Sequence, residues 1–545
     1  MEWRSHLLIV PILLPLLTGA LLLLFDERRH VLKATLSFVA TVILLVVGLV
    51  LMRFADSGEP DAARTGVYLL GNWSAPFGIV LVLDRLSALM LVLTGTLALA
   101  SLTFSLARWD RIGPHYHTLF QFLLMGLNGA FLTGDLFNLF VFFEVLLAAS
   151  YGLVLHGTGI QRVRAGLHYI AINLAASLLF LVGVSLIYGV TGTLNMADLA
   201  VRIPAVTPGD QPLLLAGAAV LGVAFLVKAG IYPLGFWLPT AYTAAAAPVA
   251  GIFAILSKVG IYILFRLSLL LFGVDAGASA GFGEFWLFGA GIATVAFASA
   301  GVLASQGMAR LAGFYVLVSS GTLLSAIGLS TVEVTSGALY YMVSSTMALS
   351  AFFLLVELLD RAQDPAADVL AVTMEAYGDD PDMEDVVEDA GLLIPGTIAI
   401  LGLCFVACAI LLAGLPPLSG FIGKFAMLDA IIGSNKPTLD ISMFGWLFTA
   451  ALIGSGLAAM VAMVRAGIRT FWAPIEGTIP RIKLVEIMPV AGLLLLCAAM
   501  TIGGGPVLRY MDATARAMHA PHVYVEEVLS ASPVPPPATT EGSQP

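Results

Sequence analysis

The chain has 545 residues, 59% hydrophobic and only 11% charged, with a mean hydropathy of +0.98 and a net charge of −10. A soluble globular domain carries about 25% charged residues, so this composition excludes a water-solvated fold and specifies a polytopic membrane protein. The acidity is confined to one segment, because residues 360–389 hold eleven acids and one base and leave twenty-four of each elsewhere; a basic surface for nucleic acid is therefore excluded.

Apolar runs long enough to cross about 30 Å of hydrocarbon fall near 5–25, 33–53, 77–104, 116–133, 136–156, 166–189, 213–236, 246–272, 283–305, 311–329, 335–359, 392–433, 443–470 and 484–503. Only helices satisfy every backbone group in lipid, so these fourteen runs predict an all-α bundle. The first, LLIVPILLPLLTGALLLLF, lacks a basic leader and a clear cleavage site, and reads as a retained helix. In the third, Asp84 and Arg85 are adjacent and read as a structural pair near the interface.

Asp135 opens the fifth run and reads as a helix cap. Glu144 sits in its middle, where a carboxylate needs a cation close by. His168, early in the sixth run, is either a lateral proton carrier or a hydrogen-bonded structural histidine. Asp198, in GTLNMADL, reads as a loop cap.

The seventh and eighth runs each bury a lysine, Lys228 and Lys258. An ammonium at bilayer depth costs roughly 2.5–3.5 kcal/mol on insertion scales, so each is expected to be functional. Lys228 is followed at once by Gly230 and Pro233, which break the helix. Lys258 precedes Tyr262 by one turn, and Lys228 stands at the same spacing from Tyr232, so each pair is expected to share a face. The twelfth run is too long for one straight helix and is broken by Gly414, Pro416 and Pro417. Lys424 lies just beyond, where unwound backbone would offer carbonyls to a wet cavity.

The two broken helices stand five apart, as expected of two inverted five-helix repeats meeting at a midplane site. The expected division is helices 1–3 over 1–110, a first repeat over 111–272, and a second over 273–359 and 390–471. The acidic loop 360–389 interrupts the second repeat, helix 14 spans 472–510, and a disordered tail runs from 511 to 545. Lys and Arg number thirteen in the loops after odd helices and five after even ones. That asymmetry places both termini outside and loop 360–389 in the cytoplasm. Cys404, Cys408 and Cys497 lie in apolar runs and read as packing, so no metal site is expected.

Four long motifs then carry a resemblance: GDLFNLFVFFEVLLAASYGLVLHG (134–157), LIYGVTGTLNMADLA (186–200), FLVKAGIYPLGFWLPTAYTAAAAPVAGIFAILSKVGIY (225–262) and LAGLPPLSGFIGKFAMLDA (412–430). They resemble the D-type subunit of the multisubunit Mrp-type (Mnh or Pha) monovalent cation/proton antiporters and, more broadly, the antiporter-like subunits of complex I and membrane-bound hydrogenases. The resemblance covers roughly residues 1–510. It implies fourteen helices with broken helices seven and twelve, and a proton path through Glu144, Lys228, Lys258 and Lys424. It also implies a bacterial inner-membrane location, lipid around the bundle, one large A-type partner subunit with several small ones, exchange of H+ for Na+ or K+, and no cofactor. Many relatives carry histidine in helix 11. Here that stretch offers Ser344, Ser345 and Leu349, with no titratable group before Glu357, so a relay there would need water between the serines. Two other readings remain: a proton-pumping subunit of a redox complex, and an assembly scaffold without transport.

Overall fold

The computed structural model describes residues 6–56, 65–363, 395–433, 441–471 and 482–533. The helices, in chain order, are α1 (Val10–Leu23), α2 (His30–Asp56), α3 (Arg85–Ser105), α4 (Tyr116–Leu132), α5 (Leu136–Val154), α6 (Ile160–Thr191) and α7 (Met196–Arg202). Next come α8 (Gln211–Ala229), α9 (Trp237–Ala244), α10 (Ala247–Phe272), α11 (Glu284–Ala304), α12 (Met308–Leu329) and α13 (Val332–Gln363). The last are α14 (Pro395–Ala413), α15 (Ser419–Ile432), α16 (Met443–Phe471), α17 (Leu484–Ile502), α18 (Gly504–His519) and α19 (His522–Ser530). Among the described residues, twelve segments are long and apolar enough to cross a membrane. The expected runs fall on this helical framework, the third from Arg85 on; the seventh, 213–236, ends in the break between α8 and α9, and the twelfth spans the pair α14–α15.

The helices sort by burial. The most apolar stretch of α10 is 100% buried and those of α12 and α13 are 94% buried, against 33% for α11, α14 and α17. A helix apolar all round belongs in the middle of a membrane bundle, so α10, α12 and α13 form the axis. The others expose one face outward. All polar groups of interest on the axis are therefore held in protein, away from lipid.

Three expectations are corrected. Between α2 and α3 the chain forms an antiparallel hairpin, β1 (Gly66–Leu69) with β2 (Val80–Leu83), in the register Gly66↔Leu83. All four residues of β2 are buried, and its VLVL run reads in sequence as the start of the next helix. The tail expected to be disordered from 511 is helical through Ser530, as α18 and α19. Tyr510 of α18 donates to the Arg85 carbonyl at 2.8 Å, and Thr335 of α13 meets His519 at 3.0 Å, so this segment is docked. Asp84 and Arg85 do not pair with each other. Asp84 caps α3 through the Ser87 amide and pairs with Arg266 at 2.8 Å, while Arg85 faces Asp56 at 3.4 Å. Most of loop 360–389 and the last residues, 534–545, lie outside the described residues.

Candidate functional site

Both broken helices end their first half on a glycine in the left-handed region, Gly230 at φ 74° and Gly414 at φ 73°. A side chain there costs roughly 1–2 kcal/mol, which explains glycine at both points. Helix α8 ends at Ala229, so Lys228 lies in its last turn. Tyr232 lies past the break and is 44% exposed, so its expected shared face with Lys228 is lost.

Lys228 and Glu144 are brought together, but through a third residue. The Ser177 hydroxyl of α6 donates to Glu144 Oε1 at 2.5 Å, and Lys228 Nζ reaches Ser177 Oγ at 3.4 Å. The ammonium also stands 4.7 Å from the centre of the Phe143 ring, a cation–π contact. The expected direct Glu–Lys pair is thus a serine-bridged triad, and nothing in the sequence alone singles out Ser177.

Lys258, in the middle of α10, is fully buried, and its Nζ donates to Ser320 Oγ of α12 at 3.2 Å. On another side, Gly260 lets α10 run against the end of α8: a Cβ there would sit 3.0 Å from the Ala229 amide nitrogen. From Ser320 the hydroxyls continue across the axis. Ser319 meets Ser345 of α13 at 2.9 Å, and Ser344 meets Ser419, the first residue of α15, at 2.7 Å. Neighbours on a helix point about 100° apart. Each serine doublet therefore serves two partners, Ser319–Ser320 linking α10 to α13 and Ser344–Ser345 linking α12 to α15. The doublet at 344–345 was expected in the path; Ser319, Ser320 and Ser419 were not.

Lys424 closes the row. It is buried, and its Nζ donates to the Ala413 carbonyl at 3.0 Å, a group freed by the break at Gly414. A Cβ on Gly414 would stand 2.6 Å from Lys424 Cδ, so the lysine lies folded over the glycine. Gly423 lets α15 approach α13, since a Cβ there would stand 2.9 Å from Tyr341 Cα. Among the described residues, none of the three lysines makes a direct ion pair. Pro233, Pro416 and Pro417 all lie in the breaks, between the half-helices.

Other expected residues fall outside the row. Asp135 caps α5 by accepting from the Asn138 amide at 2.9 Å. His168 is exposed on α6, away from the row, with Nδ1 at 3.3 Å from its own-turn Arg164 carbonyl. The Tyr262 hydroxyl donates to the Phe131 carbonyl at 2.7 Å and receives Arg266 Nε at 3.1 Å, a structural anchor. Asp198 is in the first turn of α7, paired with Arg202 at 2.9 Å, and the cap is Asn195. Glu357 lies beyond the serines, accepting from Trp109 Nε1 at 2.8 Å with Arg361 at 3.6 Å. The three cysteines are free and buried.

A family model described as "NADH:quinone oxidoreductase/Mrp antiporter, TM" matches residues 133–454. The chain is 60% identical over 97% of its length to the D-type subunit of a probable K(+)/H(+) antiporter of Rhizobium meliloti (strain 1021), covering 98% of that protein. It is 34% identical over 96% of its length to the D-type subunit of a Na(+)/H(+) antiporter of Alkalihalophilus pseudofirmus, covering 99% of it. Its fold superposes on a chain of the Mrp complex from Dietzia sp. DQ12-45-1b with a TM-score of 0.81 at 24% identity, over 97% of this chain and 100% of that one. A chain of respiratory complex I from Thermus thermophilus shares the fold at a TM-score of 0.72 and 21% identity, over 96% and 100% of the two chains.

Proposed function

The chain belongs to the NADH:quinone oxidoreductase/Mrp antiporter family, and from that premise we propose that it is the proton-carrying D-type subunit of a multisubunit monovalent cation/proton antiporter. Protons move along the axis between Lys424 and Lys258, and the Glu144–Ser177–Lys228 triad sets when Lys258 is free to give one up. The observation that carries this reading is the row of buried hydroxyls between the two lysines, Ser320, Ser319–Ser345 and Ser344–Ser419.

The chemistry follows from the groups present. An ammonium is a donor and a neutral amine an acceptor, so each lysine alternates between the two as a proton passes. A hydroxyl both accepts and donates, and relays a proton without holding charge. Ordered water joins one serine pair to the next, because each pair is bonded within itself. The triad adds the switch. With its hydrogen on Glu144, Ser177 presents a lone pair to Lys228, and the positive charge of Lys228 is balanced at one remove. Loss of the proton from Lys228 removes that charge and changes the field felt at Lys258 across the Gly260 contact.

The complex sits in a bacterial inner membrane with both termini outside, in keeping with the excess of Lys and Arg in the loops after odd helices. Its partners are a large A-type subunit and several small subunits, and the cation leaves the cell as protons enter. K+ is the first cation to test, because the 60% identical relative is named for it. The test is cation-induced proton flux in everted vesicles holding the whole complex, with K+ and Na+ added separately, for wild type and Lys258→Ala at equal assembly. Flux with one cation that disappears in the variant supports the relay. Unchanged flux moves the proton path to another subunit and makes this chain a scaffold. Redox subunits co-purifying with it would instead place it in a proton-pumping respiratory complex.

A further inference from the structure

The two ends of α10 differ. Toward its C-terminus, Lys258, Tyr262 and Arg266 follow at four-residue intervals on one face. Every polar group there is spoken for. Arg266 Nη2 contacts both Asp84 oxygens at 2.9 and 2.8 Å and Ser87 Oγ at 3.1 Å, and the Tyr262 hydroxyl is anchored on Phe131. The guanidinium lies 5.3 Å from the rings of both Tyr262 and Tyr524, the latter from α19. At this end the polar groups are paired with one another, which leaves none free to take up a proton.

Toward the N-terminus the reverse holds. Gly251 lies seven residues before Lys258, two turns away on the same face. A Cβ at Gly251 would sit 3.1 Å from Ser101 Oγ of α3 and 3.4 Å from Ser350 Oγ of α13. Both hydroxyls are buried without a hydrogen-bond partner among the described residues. One turn further along α3, Ser105 lies beside Tyr116, whose Oη is also buried and unpartnered. Beyond it stand Asp110 and His117. His117 Nε2 is 3.6 Å from Asp110 Oδ2, too long for a hydrogen bond. Asp110 Oδ1 and both His117 ring nitrogens have no partner either. The next residues, Arg111 and Ile112, are exposed. Buried polar atoms without partners are rare, a few per hundred residues, and water is their ordinary complement. Here six of them line one side of α3, from the surface turn to the Lys258 helix.

We infer that Asp110, His117 and Tyr116 form the mouth of a hydrated path that joins Lys258, across the notch at Gly251 and past Ser350 and Ser101, to water at the cytoplasmic face. The side chain of Lys258 leans back toward the helix N-terminus and so toward this notch. A proton released by Lys258 shifts along the file to bulk water at Asp110–His117. At its start the N–H bond of Lys258 breaks as an O–H bond forms, and each water is left as it began. This inference rests on the reading of Lys258 as a proton carrier. It adds the side on which that lysine is unloaded.

The test is Ser101→Ala combined with Ser350→Ala, in the whole complex, beside Lys258→Ala. Removing an unpartnered buried hydroxyl leaves stability unchanged or raises it if the hydroxyl has only a structural place. A role in the path predicts a complex of undiminished thermal midpoint whose cation-driven proton flux falls roughly tenfold or more. Wild-type flux in the double variant, with Lys258→Ala inactive, overturns the path and leaves the relay standing. Wild-type flux in Lys258→Ala overturns the relay, and the path with it. Should the double variant fail to assemble, His117→Phe reads the mouth of the same path: a loss of similar size supports it, and wild-type flux in the assembled complex overturns it.

Discussion

The two broken helices share a backbone and differ in how they use it. In α8–α9 the lysine comes before the break, on the helical side, and its partners lie on other helices, Ser177 on α6 and the Phe143 ring on α5. In α14–α15 the lysine comes after the break and folds back onto it, bonding the Ala413 carbonyl over Gly414. The first break ends a helix and leaves its lysine tied to a carboxylate through one hydroxyl. The second supplies the lysine's acceptor itself. One lysine answers to a carboxylate on another helix; the other answers to a fixed dipole. This makes the first a switching element and the second a fixed terminus.

The comparison is most exposed to failure at the charges. Glu144→Gln should lower cation-driven proton flux by roughly a hundredfold. Combined with Lys228→Ala it should cost little more, because the two act as one unit through Ser177, whereas Glu144→Gln with a partial Lys424 variant should add. Additivity in the first pair, read from a double-mutant cycle on flux, would break the triad.

The next effect separates the two glycines. Gly230→Ala and Gly414→Ala should each lower the thermal midpoint of the complex, since each places a side chain at a left-handed φ, at roughly 1–2 kcal/mol. Only Gly414→Ala should also abolish flux per assembled complex, because its Cβ strikes Lys424 Cδ, while at Gly230 the new atom meets Leu238 Cδ1 at 2.6 Å. Equal losses of flux would mean that the first break also positions its lysine. Ser177→Ala follows, with an expected fall of about tenfold and recovery in Ser177→Thr, which keeps the hydroxyl.

The smallest effect concerns pH and serves as a control outside the membrane. Burial holds the His156 imidazole below its ordinary value, despite the 2.7 Å contact of Nε2 with the Trp109 carbonyl. Below about pH 6.5 the unfolded chain takes up a proton that the folded one refuses, so stability falls as the solution is acidified. His156→Gln should flatten that fall by about 2 °C in midpoint between neutral and mildly acidic solution, without changing flux at neutral pH. A change in flux would extend the mouth of the path from Tyr116, whose ring lies 4.9 Å away, to this histidine.

Much of this was legible in the sequence because membrane charge is costly: Lys228, Lys258, Lys424 and Glu144 stand out of apolar runs, and Gly–Pro clusters mark breaks. Serines do not stand out. Ser177, Ser320 and Ser419 look like the small residues that let helices pack, and only their facing partners in space give them a role. The doublets at 319–320 and 344–345 were the available signal, since two adjacent hydroxyls on a buried helix cannot both face one neighbour. Asp84 misled by standing next to Arg85, when its partner Arg266 is 182 residues away. The tail misled because its proline-rich end, SPVPPPATTEGSQP, coloured the helical stretch before it.

Tyr524, which covers Arg266, belongs to the last helix among the described residues. Until residue 524 has been made, the outward end of α10 has its salt bridge but no lid. A chain stopped early therefore holds every residue of the relay and lacks its closure. Vesicles carrying a complex truncated after residue 520 are expected to lose a pH gradient without any added cation; a gradient as durable as that of the full-length complex would count against this. Helix α19 would then act as a completeness check, since ion exchange without leakage belongs only to subunits synthesised past it.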